Sequence, residues 1–228
     1  MKIQGFQKMT LLDFPGRVAC TLFTAGCNFR CPFCHNASLV THIDGEEIDK
    51  EEIFSYLNKR KGLLDGVCIT GGEPLLQKDI ADFIRAVKEI GFAVKLDTNG
   101  SFPEKLRELI DGGLLDYVAM DIKNSKEKYD LTCGTSVDIA AIERSVELLK
   151  EGRVDYEFRT TLVKELHSEE DIVSMAKWLS GTRYWFLQGF VDSGDLIEKG
   201  LSGHSEEWVK SAQTLAGQWV EGVKVRGY

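Results

Sequence analysis

The chain lacks any long apolar run and begins without an apolar leader, so neither a membrane span nor export is expected. It also lacks a basic excess. With 28 Lys and Arg against 36 Asp and Glu, its net charge of −8 argues against a nucleic-acid footprint. No low-complexity linker or short repeat divides the 228 residues, and the expectation is one domain over 1–228. Six cysteines are present, but a disulfide framework is not expected, because the chain reads as cytoplasmic and thiols stay reduced there. The most telling absence is local. Cys27, Cys31 and Cys34 stand at CxxxCxxC spacing with no fourth cysteine near them.

Strand-like and helix-like segments alternate along the chain. The strand candidates are 18–24, 66–70, 93–97, 117–122, 156–162 and 184–188, each short, rich in β-branched or aromatic residues, and bounded by glycine or polar residues. Between them, 79–90 carries Ile80, Phe83, Ile84, Val87 and Ile90 at helical spacing and is ended by Gly91. Segment 138–150 repeats the pattern, and 169–179 and 206–220 show it more weakly. Such alternation implies parallel strands joined by right-handed crossovers. Six units are too few for a closed eightfold barrel. That leaves an α/β fold, either a partial, open barrel or a doubly wound sheet; the expectation is a partial, open (β/α)6 barrel of TIM type, with an N-terminal extension (1–17) and a C-terminal helix (206–220) packed on it.

The polar motifs fall where such a fold places its sites, at the carboxyl ends of strands. The cysteine loop follows the first strand, Thr70-Gly71-Gly72-Glu73-Pro74 the second, and Asp97-Thr98-Asn99-Gly100 the third. Asp121-Ile122-Lys123 ends the fourth, Arg159 lies in the fifth and Gln188-Gly189 ends the sixth. Asp121 and Lys123 are two apart on a strand and face the same side.

Three thiolates suit a cubane iron–sulfur cluster with one iron left uncapped, since four protein thiolates usually hold the whole cluster. A structural zinc knuckle would want a fourth ligand, and only His35 is at hand. Cys20 and Cys68 read as small core hydrophobes. Cys133 reads as a loop residue, most simply a packing one, and as the only other conceivable ligand. His42, His167 and His204 read as loop residues without a role. Residues 1–41 hold Lys2, Lys8, Arg17 and Arg30 against Asp13 alone, a local excess of +3 that leaves −11 for the rest. It reads as a chance surface bias or as a docking patch for an acidic partner.

These motifs together resemble the radical S-adenosylmethionine enzymes, over nearly the whole chain. The residues that carry the resemblance are the cysteine loop with His35-Asn36, Gly71-Gly72-Glu73-Pro74, 96–100 and 120–123. Gly5-Phe6-Gln7-Lys8 and Leu12-Asp13-Phe14-Pro15-Gly16 point to the glycyl-radical-enzyme activating proteins, and most closely to those of anaerobic ribonucleoside-triphosphate reductase. The resemblance implies a 4Fe–4S cluster on Cys27, Cys31 and Cys34, with S-adenosylmethionine chelating the free iron. Its reductive cleavage would give a deoxyadenosyl radical that takes a glycine Cα hydrogen from a partner enzyme.

Further residue roles follow from the resemblance. Phe33 and His35 would flank the adenine, and Gly71, Gly72 and Glu73 would meet the cofactor's amino-acid end. Glu73 could instead brace the turn. Asp97, Asp121, Lys123 and Arg159 would also contact the cofactor, and Asp97, Thr98 and Asp121 could hold a monovalent cation. A flavodoxin or ferredoxin would donate the electron. One departure concerns pyruvate formate-lyase activating enzymes, many of which carry a histidine after the sixth strand. Here that stretch reads Phe186-Leu187-Gln188-Gly189-Phe190. The alternatives are a formate-lyase-type activase, a small-molecule enzyme of the carboxydeazaguanine synthase kind, and a non-enzymatic iron–sulfur or zinc module.

Overall fold

A computed structural model describes residues 1–227. Eight strands form one sheet in sequential order: β1 (Ile3–Thr10), β2 (Ala19–Thr24), β3 (Gly66–Gly71), β4 (Ala93–Thr98), β5 (Tyr117–Asp121), β6 (Asp155–Leu162), β7 (Trp185–Gly189) and β8 (Val223–Arg226). Strands β2 to β8 run parallel and β1 runs antiparallel to β2. No pairing joins β1 to β8 among the described residues, so the sheet curls without closing.

The helices are α1 (Ala37–Thr41), α2 (Lys50–Lys59), α3 (Ile80–Ile90), α4 (Pro103–Asp111), α5 (Tyr129–Cys133), α6 (Ile139–Lys150), α7 (Glu169–Trp178) and α8 (Glu206–Ala216). The four helices expected from the sequence carry recognisable caps. Asp138 and Ser205 cap α6 and α8, Ser168 and Asp171 form a capping box on α7, and Gly91 closes α3 with φ +109°.

All six expected strands are present within a residue or so. The count of six falls short at both edges. Residues 3–10, expected as part of an extension, form β1, and 223–226 follow the last helix as β8. Neither has a strong local signal. β1 carries Gly5 and two register irregularities, and β8 is four residues long. Each exists because a neighbouring strand supplies the ladder. The last helix stops at Ala216 and not at Val220, leaving room for that return.

Alternation along the strands sorts the residues. Cys20, Leu22, Val67, Ile69, Val94, Leu96, Val118, Met120, Phe158, Trp185 and Leu187 are buried in the apolar core. Residues of opposite parity, including Thr21, Thr70, Asp97, Asp121, Arg159, Thr161 and Gln188, line a cavity inside the curl. Among the described residues no helix is long and apolar enough to cross a membrane.

Candidate active site

The cysteine loop leaves β2 at the rim and is held there by its backbone. Gly26 N–H donates to the Leu39 carbonyl at 2.8 Å, Arg30 N–H to the Cys133 carbonyl at 2.8 Å, and Glu73 N–H to the Gly26 carbonyl at 2.8 Å. Gly71 and Gly72 make this approach possible. A Cβ on Gly72 would lie 1.9 Å from the Gly26 oxygen, and one on Gly71, at φ +111°, would lie 2.4 Å from Thr24 N. These glycines therefore dock strand β3 against the cysteine loop, and the Gly71 carbonyl accepts the Asn36 amide at 3.1 Å. Gly72→Ala should cost about 1–3 kcal/mol through overpacking and loosen the loop; chemical denaturation and iron retention will read it, and unchanged values would refute the docking role.

Glu73 is fully buried beneath the cavity and does not line it. Its carboxylate accepts from Leu75 N–H at 3.0 Å, Asn99 N–H at 2.7 Å and the Thr98 hydroxyl at 2.8 Å. Burial pushes its carboxyl up to about 7 against those three donors. Of the two readings of Glu73, it is the turn brace that the contacts describe. Asn99 completes the frame. Its amide donates to Asn28 Oδ1 at 2.9 Å and lies 3.9 Å from Cys27 Sγ, tying the end of β4 to the cysteine loop.

The three thiols differ. Burial pushes Cys27 up to about 12 and raises Cys34, whereas a hydrogen bond from Cys133 and the nearby Lys123 ammonium bring Cys31 down to about 7. Cys133 is not a loop residue. It ends α5, is fully buried, and lies against Cys31. No three His, Cys, Asp or Glu side chains among the described residues converge tightly enough to hold a single metal ion.

Phe33, His35, Gly71, Gly72, Asp97, Thr98, Asp121, Lys123 and Arg159 line one cavity of about 410 Å³ with the three cysteines. That volume lies within the range of small-molecule sites. The cavity walls are built by the carboxyl ends of β2 to β7. Residues 21–179 match the profile of the radical SAM superfamily, 159 of the 228 residues.

The chain belongs to the radical SAM superfamily.

A relative matched over nearly its whole length narrows the branch. A Methanocaldococcus jannaschii protein, provisionally named a glycyl-radical enzyme activating enzyme, is 34% identical over 98% of this chain and 95% of its own length. The Escherichia coli K12 pyruvate formate-lyase 1-activating enzyme is 33% identical over 56% of this chain and 54% of its own. This is an enzyme of the radical SAM, glycyl-radical-enzyme activating family. In fold, Streptococcus suis SuiB bound to S-adenosylmethionine superposes with a TM-score of 0.69 at 14% identity, over 90% of this chain and 49% of that one. A domain of pyruvate-formate lyase-activating enzyme from Bacteroides vulgatus gives 0.59 at 18% identity, over 71% and 99%. Radical SAM enzymes use a 4Fe–4S cluster and S-adenosylmethionine.

The radical SAM cavity carries a ladder of alternating charge. The Lys95 ammonium pairs with Asp97 Oδ1, Arg159 Nη1 donates to Asp97 Oδ2 at 2.9 Å, Arg159 Nε donates to Asp121 Oδ1 at 3.0 Å, and Lys123 Nζ donates to Asp121 Oδ2 at 3.0 Å. Burial alone would raise the carboxyls, but Arg159 and the lysines hold Asp97 low and Asp121 at about 2. Asp97, Thr98 and Asp121 do not converge as a cation cage. Arg159 stands between the carboxylates and the Thr98 hydroxyl is turned to Glu73.

His35 Nε2 bonds the Val191 carbonyl at 2.9 Å and its ring stacks on Phe190 at 5.6 Å, while Lys123 lies 6.0 Å over the Phe33 ring. Lys95 escaped the sequence reading. Its signal was a lysine inside an apolar parallel strand at the same parity as Asp97. Asp13, in the Leu12–Gly16 motif, accepts from the Thr21 hydroxyl and lines the cavity. The four basic residues of the first segment do not gather. Antiparallel β1 places Lys2 beside the rim and Lys8 toward the opposite end, Arg17 stands just before β2, and Arg30 donates to the Cys27 and Phe29 carbonyls.

Proposed function

We propose that this chain generates a glycyl radical on a partner enzyme, an anaerobic ribonucleoside-triphosphate reductase. The observation that carries the reading is the meeting of three thiols from one loop with six strand ends around one cavity, in a barrel left open at the side. The donor set fits the cluster: Cys27, Cys31 and Cys34 would hold three irons and leave one for the amino-acid end of S-adenosylmethionine. When bound, the reduced cluster and that cofactor supply the hydrogen-abstracting radical. Arg159 and Lys123 line the cavity and present charged donors, which suits a bound carboxylate. Phe33 and His35 offer flat surfaces beside the cysteine loop for a base.

A protein loop must reach that cavity, and it would enter from a side that the unclosed sheet leaves open. The glycine loses a hydrogen atom and not a proton, so no carboxylate is assigned as a base. Gln188, in β7, lines the cavity, and 186–190 carries no histidine of the kind many formate-lyase activases have there, which is compatible with the reductase as partner. The electron would come from a flavodoxin or ferredoxin, in the cytoplasm. With no single basic patch, Arg30 on the cysteine loop is the residue left to test as its contact.

The test is anaerobic. Iron-loaded, reduced protein should cleave S-adenosylmethionine and produce a glycyl doublet on the reductase in electron spin resonance. A doublet only on a formate-lyase-type partner would overturn the choice of partner, and stoichiometric zinc without iron would overturn the whole reading. Lys123→Ala should reduce the radical yield about 10–100-fold, since it removes a charge-assisted contact, while iron content stays near wild type. An unchanged yield removes Lys123 from the site.

A further inference from the structure

We infer that the side chains of this protein supply the positive charge that a monovalent metal ion would bring to Asp97 and Asp121, and that it binds S-adenosylmethionine without such an ion. The second half of the inference rests on the function proposed above. All four carboxylate oxygens face cationic nitrogen. Asp97 meets the Lys95 ammonium and Arg159 Nη1, and Asp121 meets Arg159 Nε and Lys123 Nζ. The third residue of the expected cage is Thr98, whose hydroxyl donates to Glu73 at 2.8 Å and accepts Gly100 N–H at 3.1 Å. It is engaged inside the turn and not with Asp97 or Asp121.

Lys95 is the residue that decides this. Its side chain is 2% exposed, and Asp97 is the only acid it pairs with among the described residues. A buried ammonium persists only where it is paired, so Lys95 and Asp97 hold each other in place. Its other neighbour is the Cys68 sulfur at 3.8 Å, which is in turn 3.8 Å from Asp97 Oδ1. A metal ion entering here would stand beside like charge, because Lys95, Arg159 and Lys123 already bond these oxygens. Lys95 is thus a positioning residue: it fixes Asp97, and through Asp97 it fixes Arg159.

The test is an ion series at constant ionic strength in potassium, sodium and tetramethylammonium chloride. For iron-loaded wild type, we expect the dissociation constant for S-adenosylmethionine to stay within about twofold across the series. Tightening of about tenfold or more in potassium or sodium overturns the inference. The melting temperature of the iron-free chain is read in the same salts. A bound ion would raise it by mass action, and we expect a spread under about 2 °C. That second reading separates the two claims, since absence of cofactor binding in every salt sinks the proposed function while the melting series still decides the ion question.

Lys95→Met removes the ammonium and keeps an unbranched side chain one atom shorter. It should weaken cofactor binding about tenfold in tetramethylammonium, with potassium restoring most of the loss. Wild-type affinity of this variant in tetramethylammonium overturns the role of Lys95. If the variant does not fold, the wild-type series decides alone.

Discussion

Replacing Cys31 by alanine will leave a folded protein that holds no iron–sulfur cluster and cleaves S-adenosylmethionine at least ~100-fold more slowly, since three thiolates are the fewest that can hold the cubane. Cys31 is the middle thiol of the loop and the one held nearest to ionisation, through Cys133 and Lys123. The cost in stability is not zero. Cys31 is buried and packs in the main core with Phe29 and Phe33 beside it in the loop. Truncating one sulfur there should cost about 1–2 kcal/mol, a few degrees in melting temperature for a chain of this size.

The informative companion is Cys133→Ala. Cys133 lies against Cys31, so a structure with four protein thiolates would draw on it first. With three ligands and an open iron, Cys133→Ala retains its iron and its cofactor cleavage. If it loses iron as completely as Cys31→Ala does, the cluster has four protein ligands and the open-iron chemistry cannot start. Iron assay and the yield of 5′-deoxyadenosine separate these outcomes.

Arg159→Met should be the most destabilising change in the barrel interior. The guanidinium bridges Asp97 and Asp121, with only 16% of its side chain exposed. Removing it leaves two largely buried carboxylates with one lysine each, Lys95 and Lys123. Breaking a buried pair on one side costs about 3–5 kcal/mol, because desolvation of the remaining charge is no longer offset. At about 2–4 °C per kcal/mol, the melting temperature should fall by roughly 6–20 °C. Arg85→Ala is the control. It breaks an exposed i,i+3 pair with Asp82 and should change stability by under about 0.5 kcal/mol. A loss below about 1 kcal/mol for Arg159→Met would show that the ladder is not structural.

The same pair sets an acid dependence. Asp121 titrates near 3.8 unfolded and at about 2 folded, so its contribution is present above about pH 4 and lost as pH falls toward 2. The stability difference between wild type and Arg159→Met should therefore be largest at neutral pH and shrink between pH 4 and 2.

Much of the site was legible because it is local. The cysteine spacing lies within eight residues, and strand period alone puts Asp121 and Lys123 on one side. Glu73 illustrates the limit. Its motif pointed to the cofactor, with bracing as the other option, and only the hydrogen bonds to Leu75, Thr98 and Asn99 put it beneath the cavity. The pair Gly71-Gly72 reads as a ligand platform, and its close approach to the Gly26 oxygen is visible only in the fold.

By itself, the sequence determined the thiol trio, the alternation of strand and helix, and the rim at which chemistry is delivered. Those follow from covalent spacing and from short periodicities that need no distant partner. The edge strands β1 and β8, the turn of the Thr98 hydroxyl away from Asp97, and the run of charge from Lys95 to Lys123 were decided by tertiary structure alone. Arg159 meets Asp97 across 62 residues of chain, and a contact of that separation is settled by the competition of all groups for a few buried positions.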